Sequence, residues 1–147
     1  MIDIPANVRI RATIRPGAVF YYDEDTYVGD GSHYFVVLNV DPTATDDIVL
    51  LGATSQITSA KRRTQQYPGT LVILTPADYP DFTEPESAFN GNEARVVTVG
   101  TLVSKLDRGA LRLHSNMDVD LVTLLRAAVL VSPVIERTVK KLISARG

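Results

Sequence analysis

A chain of 147 residues that is 45% apolar and 22% charged carries enough material for one buried core, and too much of it for a disordered segment. The absence of cysteine excludes disulfides, thiol catalysis and cysteine-ligated metal; two histidines outside any HExxH spacing argue against a dedicated transition-metal site, so no metal or other cofactor is expected. A net charge of −2 excludes a uniformly basic nucleic-acid binder while leaving room for a small cationic patch.

From the start, Val8 to Ile14 alternates Val8, Ile10, Ala12 and Ile14 with Arg9, Arg11 and Thr13, the period of a half-buried strand. Arg15-Pro16-Gly17 breaks it, and Ala18 to Tyr22 is a second strand. Asp23 to Ser32 is too long for a tight hairpin and ends in Gly29-Asp30-Gly31, so it reads as a working loop. Its acids, Asp23, Glu24, Asp25 and Asp30, miss the spacing of a calcium loop. Tyr34 to Leu38 and Ile48 to Leu51 are short β-branched or aromatic runs joined by Asp41-Pro42-Thr43, which makes a central hairpin.

Thr58 to Gly69 is a polar, cationic connection closed by Pro68-Gly69, and Leu71 to Leu74 is the next strand. Thr75 to Asn92, rich in proline and acids and without a period, reads as a covering loop with at most one helical turn. Arg95 to Leu102 reads as a strand with Gly100 at a bulge or bend, and Leu106 to Gly109 as a turn into the strand Ala110 to Leu113. Ser115-Asn116-Met117-Asp118 then reads as a capping box for a helix, Val119 to Val131, that is apolar on nearly every side. A second helix is expected from a Ser132 cap and a Pro133 first turn, with Ile135, Val139, Leu142 and Ile143 on one face and Lys140, Lys141 and Arg146 near its C-terminal end.

These elements make one α+β domain over residues 1–147: a small antiparallel barrel over about 8–114, then one or two helices over about 116–146. The apolar helix fills an open barrel end, joins a dimer interface, or both. No run of about 18 apolar residues offers a membrane span, and the opening residues lack a basic-then-apolar leader, so a cytoplasmic protein is expected.

Five pieces in order over roughly residues 15 to 130 resemble the MazF and PemK toxins of type II toxin–antitoxin modules. They are Gly17-Ala18-Val19-Phe20, His33-Tyr34 with its aliphatic run, Gly52-Ala53-Thr54-Ser55-Gln56-Ile57, Asp78-Tyr79-Pro80 with Ser87, and Leu106-Asp107 to Leu111. The resemblance implies an SH3-like barrel with a C-terminal helix, a homodimer, and an antitoxin segment that occupies the substrate groove. It also implies metal-independent cleavage of single-stranded RNA, giving a 2′,3′-cyclic phosphate and a 5′-hydroxyl. The chain departs from the family at the Arg-Pro that opens the aliphatic strand: the family's principal catalytic arginine falls on or beside His33.

Cyclising cleavage needs a base for the 2′-hydroxyl, an acid for the leaving 5′-oxygen, and groups that hold the charge on phosphorus. An imidazole titrates near neutrality and serves either proton role, so His33 is chemically adequate where the family has arginine; the bland reading is that it caps or packs a loop end. The resemblance puts Thr54 on the scissile phosphate, with Ser55 and Gln56 beside it, whereas strand-end Ser and Thr chemistry needs no function. Lys61, Arg62 and Arg63 are candidate phosphate ligands, or a solvated charge run. Tyr21, Tyr22, Tyr27 and Tyr34 offer stacking faces for unpaired bases, or core packing. The alternative to an endoribonuclease is a catalytically silent member of the same barrel family, acting as a protein-binding or structural module. Gyrase poisoning of the related CcdB kind is disfavoured, because it depends on a C-terminal tryptophan and the chain has none.

Overall fold

The computed structural model describes residues 4–23 and 31–144. Tyr27, Glu24, Asp25, Asp30 and Arg146 lie outside the described residues. The described residues are α+β: seven strands in one antiparallel sheet with helices on both faces. The strands are β1 (Val19–Asp23), β2 (Ser32–Val37), β3 (Asp47–Thr54), β4 (Leu71–Leu74), β5 (Ser87–Asn90), β6 (Arg95–Thr98) and β7 (Leu111–His114). The helices are α1 (Ala6–Thr13), α2 (Ile57–Arg63), α3 (Val99–Asp107), α4 (Val119–Leu130) and α5 (Arg137–Ile143).

Strand order is β4-β5-β3-β2-β1-β7, with β6 also on β3. No pairing among the described residues joins β4 to β7, so the sheet is not closed into a barrel. β3 is the long central strand. Leu50 to Gly52 pair with β2, Asp47 to Leu50 pair with β6, and Ala53 and Thr54 pair with β5. Gly52 lies between the residues paired with β6 and those paired with β5.

The alternating pleat sends neighbouring residues to opposite faces. Val19, Val36, Val49 and Leu51 meet Val122, Leu125 and Val129 of α4 on one face. Phe20, Tyr22, Phe35, Val37, Ile48 and Leu50 meet Ile10 and Ile14 of the α1 segment and Leu102 and Leu106 of α3 on the other. Burial on both faces is why Phe35 to Leu38 and Ile48 to Leu51 are continuous apolar runs rather than alternating ones. Gly91 permits a further close approach: a Cβ there would fall on the Ala128 carbonyl of α4.

Several expected elements change type. Val8 to Thr13 is helical, not a strand: Val8 is turned out, 51% exposed, and between Val8 and Ile14 only Ile10 and the C-cap residue Ile14, four residues apart, are buried. Arg95 to Leu102 is a strand only to Thr98. Its Oγ1 accepts from the Thr101 amide as a helix cap, and Val99, Leu102 and Leu106 then face the core at helical spacing. Thr58 to Gly69 is not simply a connection, because α2 occupies its first half. The covering loop Thr75 to Asn92 contains β5, whose four residues are all buried. Among the described residues two helices do follow residue 114, but α4 is capped at Asp118 without a side-chain bond, so Ser115 is no capping box. α5 begins at Arg137, not at Pro133. Ser132 is buried instead, donating to Asn92 Oδ1 at 2.6 Å and accepting from the Val134 amide.

Candidate functional site

β2 and β3 run antiparallel with Phe35 opposite Gly52, which sets the start of β2 beside the end of β3. His33 and Thr54 occupy those two positions, and both line one cavity of about 230 Å³. Ser55, Tyr21 and Tyr34 line it too, as do Ser32, Thr83, Glu84 and Ser87. None of the last four was expected as a site residue, although Ser87 belongs to one of the five pieces of the resemblance. Thr83 and Glu84 belong to the segment read as mere cover, and the one signal available was that its acids and hydroxyls stand directly before the Ser-Ala-Phe run of β5.

The His33 ring is held by its Nδ1, 2.9 Å from the Ala53 carbonyl. A carbonyl only accepts, so Nδ1 carries the hydrogen, and Nε2 is the ring's second proton-exchanging nitrogen. That Nε2 is shielded from solvent. Thr54 Oγ1 accepts from the Gln56 amide at 3.1 Å. With that lone pair engaged, its own hydrogen is available to an acceptor in the cavity.

Not every candidate reaches the cavity. Gln56 is exposed at the N-terminal edge of α2 and does not line it. Lys61, Arg62 and Arg63 form the last turn of α2, where cations suit the negative end of the helix dipole. A helix, not a flexible loop, carries them; six rises of about 1.5 Å separate Ile57 from Arg63, or about 9 Å. Arg63 Nη1 lies 3.4 Å from Glu93 Oε2. Among the described residues no lysine or arginine lines the cavity, and Glu84 is its one carboxylate. Of the tyrosines, Tyr21 and Tyr34 stand on the rim with rings 4.7 Å apart. Tyr22 is in the core, stacked on Phe35 at 4.5 Å, and has no face for a base.

One polar knot holds the Thr83 and Glu84 wall in place. Asp81 Oδ2 accepts from the Ser115 amide at 3.2 Å, from Ser115 Oγ at 3.0 Å and from His114 Nδ1 at 3.1 Å. The Asp81 carbonyl accepts from Tyr34 OH at 2.7 Å. Burial pushes the Asp81 carboxyl up, but the Ser115 and His114 hydrogen bonds outweigh it and hold the group below its ordinary value. Burial also raises Tyr34, and it pushes Tyr79, which donates to the Ser115 carbonyl, up to about 12. His114 is therefore part of a strut between the β4–β5 segment and the end of β7. No protein-family model matches the chain, and no curated protein matches it.

Proposed function

We propose that the chain is a metal-independent endoribonuclease of the MazF and PemK kind, cutting single-stranded RNA to leave a 2′,3′-cyclic phosphate and a 5′-hydroxyl. The observation that carries this reading is the convergence of His33 and Thr54, from different strands, on one hydroxyl-rich cavity. In the proposed step the 2′-oxygen attacks phosphorus and the 5′-oxygen leaves. Glu84 takes the 2′ proton, and His33, entering the step as the imidazolium, gives its Nε2 proton to the 5′-oxygen and is left neutral. Thr54 and Ser55 donate to the phosphate oxygens. Lys61, Arg62 and Arg63 act through the field at the far end of α2, and Gln56 through the turn that presents Thr54.

The shared strand β3, paired in turn with β6 and β5 along one edge, supports reading the sheet as an opened SH3-like barrel. A homodimer fits the second face of α4. There Val119 and Leu124 are exposed, and Val131 and Val134 just beyond the helix are exposed too. An antitoxin segment in the cavity and a cytoplasmic setting complete this reading. Among the described residues no helix is long and apolar enough to cross a membrane.

The test is incubation of purified protein with single-stranded RNA and a chelator, followed by identification of the cut ends, then repetition with His33→Ala. Cyclic phosphate ends that vanish in the variant support the proposal. Intact RNA in the presence of folded wild-type protein sinks it. The second reading, a silent binding module of the same family, is favoured by a cavity lining without lysine or arginine and by the shielded Nε2 of His33. It expects no RNA loss from the wild type and no difference between the wild type and His33→Ala.

A further inference from the structure

An RNA phosphate brought to this cavity meets, among the described residues, hydroxyls, an imidazole and a carboxylate, but no lysine or arginine. A site that binds a polyanion needs a cation within reach, since neutralising phosphates supplies most of the sequence-independent affinity. The α2 cluster is displaced along its helix, and Arg63 is engaged by Glu93. One strand beyond the cavity rim, however, Arg112 of β7 stands directly opposite Tyr21 in the β1–β7 register. Its guanidinium carbon sits 5.1 Å from the centre of the Tyr21 ring. Arg112 is exposed, and none of the ion pairs among the described residues uses it.

An arginine laid on an aromatic ring is not a freely moving surface charge. The contact orients the planar fork, reduces the rotamer freedom lost on binding, and leaves several N–H donors outward for two oxygens of one phosphate. The same rim carries Tyr34, tilted against Tyr21 and edge-on to Phe82, so two half-buried rings and a fixed guanidinium form one continuous ledge. Ledges of this composition suit unpaired nucleotides, whose bases stack and whose backbone is anionic.

Building on the proposed RNA reading, we infer that Arg112 with Tyr21 and Tyr34 forms a subsite for the nucleotide flanking the scissile phosphate, with Arg112 binding that nucleotide's phosphate. The contact is independent of base identity. Its loss therefore weakens binding uniformly across sequences.

The experiment measures binding of short 2′-O-methylated single-stranded oligonucleotides, which lack the attacking hydroxyl and stay intact, across a salt series, with cleavage of ordinary RNA followed in parallel. Arg112→Gln is expected to make the dependence of log affinity on log salt shallower by about 0.7 and to weaken binding about fivefold at 0.1 M salt. Arg112→Lys keeps the slope and recovers only part of the affinity, because it restores charge without the fork. Tyr21→Leu weakens binding by roughly tenfold through lost stacking and lost support of Arg112. Arg137→Gln, a cation exposed on α5, changes neither slope nor affinity, and thermal melting of every variant confirms folding. If folded Arg112→Gln matches the wild type in slope and affinity, the inference is overturned while the cavity reading stands. If the wild type neither binds the oligonucleotides nor cleaves RNA, both fall.

Discussion

The Asp81 knot offers the sharpest test of how the cavity is held. Asp81→Ala removes the acceptor for the Ser115 amide, Ser115 Oγ and His114 Nδ1, three bonds of 3.0 to 3.2 Å. Bonds to a charged acceptor contribute about 1.5 to 3 kcal/mol each when buried, but the Asp81 side chain is 32% exposed and water replaces much of the loss. A total of about 2 kcal/mol is the expected cost, which for a chain of this length lowers the melting temperature by about 4 to 8 °C. The pH dependence has a definite sign. The folded carboxyl is held below its ordinary value of about 3.9, so the stabilisation is complete above roughly pH 4 and is lost as pH falls through the lower folded value. Asp81→Asn keeps the shape but cannot titrate, so its melting temperature falls less steeply in acid than that of the wild type. The assay is thermal melting followed by circular dichroism between pH 2.5 and 7. An alanine variant melting within 1 °C of the wild type, or an unchanged acid limb in the asparagine variant, refutes the reasoning.

Three further expectations follow from single contacts. Gly91→Ala drives a Cβ into the Ala128 carbonyl and should destabilise by about 1 to 3 kcal/mol, read as an earlier urea midpoint with unchanged slope. Arg126 of α4 donates to the Leu38 carbonyl at 2.7 Å and the Asn39 carbonyl at 3.1 Å. Arg126→Leu strips both acceptors of their partner for a cost of about 1 to 3 kcal/mol, visible as faster hydrogen exchange at the end of β2. Thr54→Val keeps the strand-compatible shape and removes the hydroxyl proposed to donate to phosphate, so on that proposal RNA cleavage falls by about 10²-fold with the fold intact.

What was legible in the sequence follows the strength of the local signal. The central hairpin was readable because Phe35 to Leu38 and Ile48 to Leu51 are buried on both faces, and β7 because the preceding turn has Gly109 at φ +72°. Val8 to Ile14 misled because four alternating apolar residues fit a strand, whereas the tertiary structure needed only Ile10 and Ile14 and left the arginines and Ala12 on a solvent-facing helix. Val99 to Leu102 misled in the opposite sense: β-branched residues and Gly100 read as strand, but the Thr98 cap and the core spacing of Leu102 and Leu106 decide for helix. β5 escaped notice because four residues carry no measurable period. With β5 went the means of seeing that Thr83 and Glu84 face His33.

The cavity has a simple origin in the strand pairing. Along one edge of β3 the pairing passes from β6, ending at Leu50, to β5, starting at Ala53. Beyond Thr54 the chain leaves the sheet for α2, while β2 has only just begun at Ser32. Polar side chains at such strand ends lose neighbours on one side, which is how Ser32, His33, Thr54 and Ser55 come to line one pocket. The same geometry fixes the division of labour in the proposed site. Proton carriers sit where backbone carbonyls such as that of Ala53 can orient them, and charge is supplied from β7, where the Arg112 guanidinium stays hydrated until a phosphate arrives.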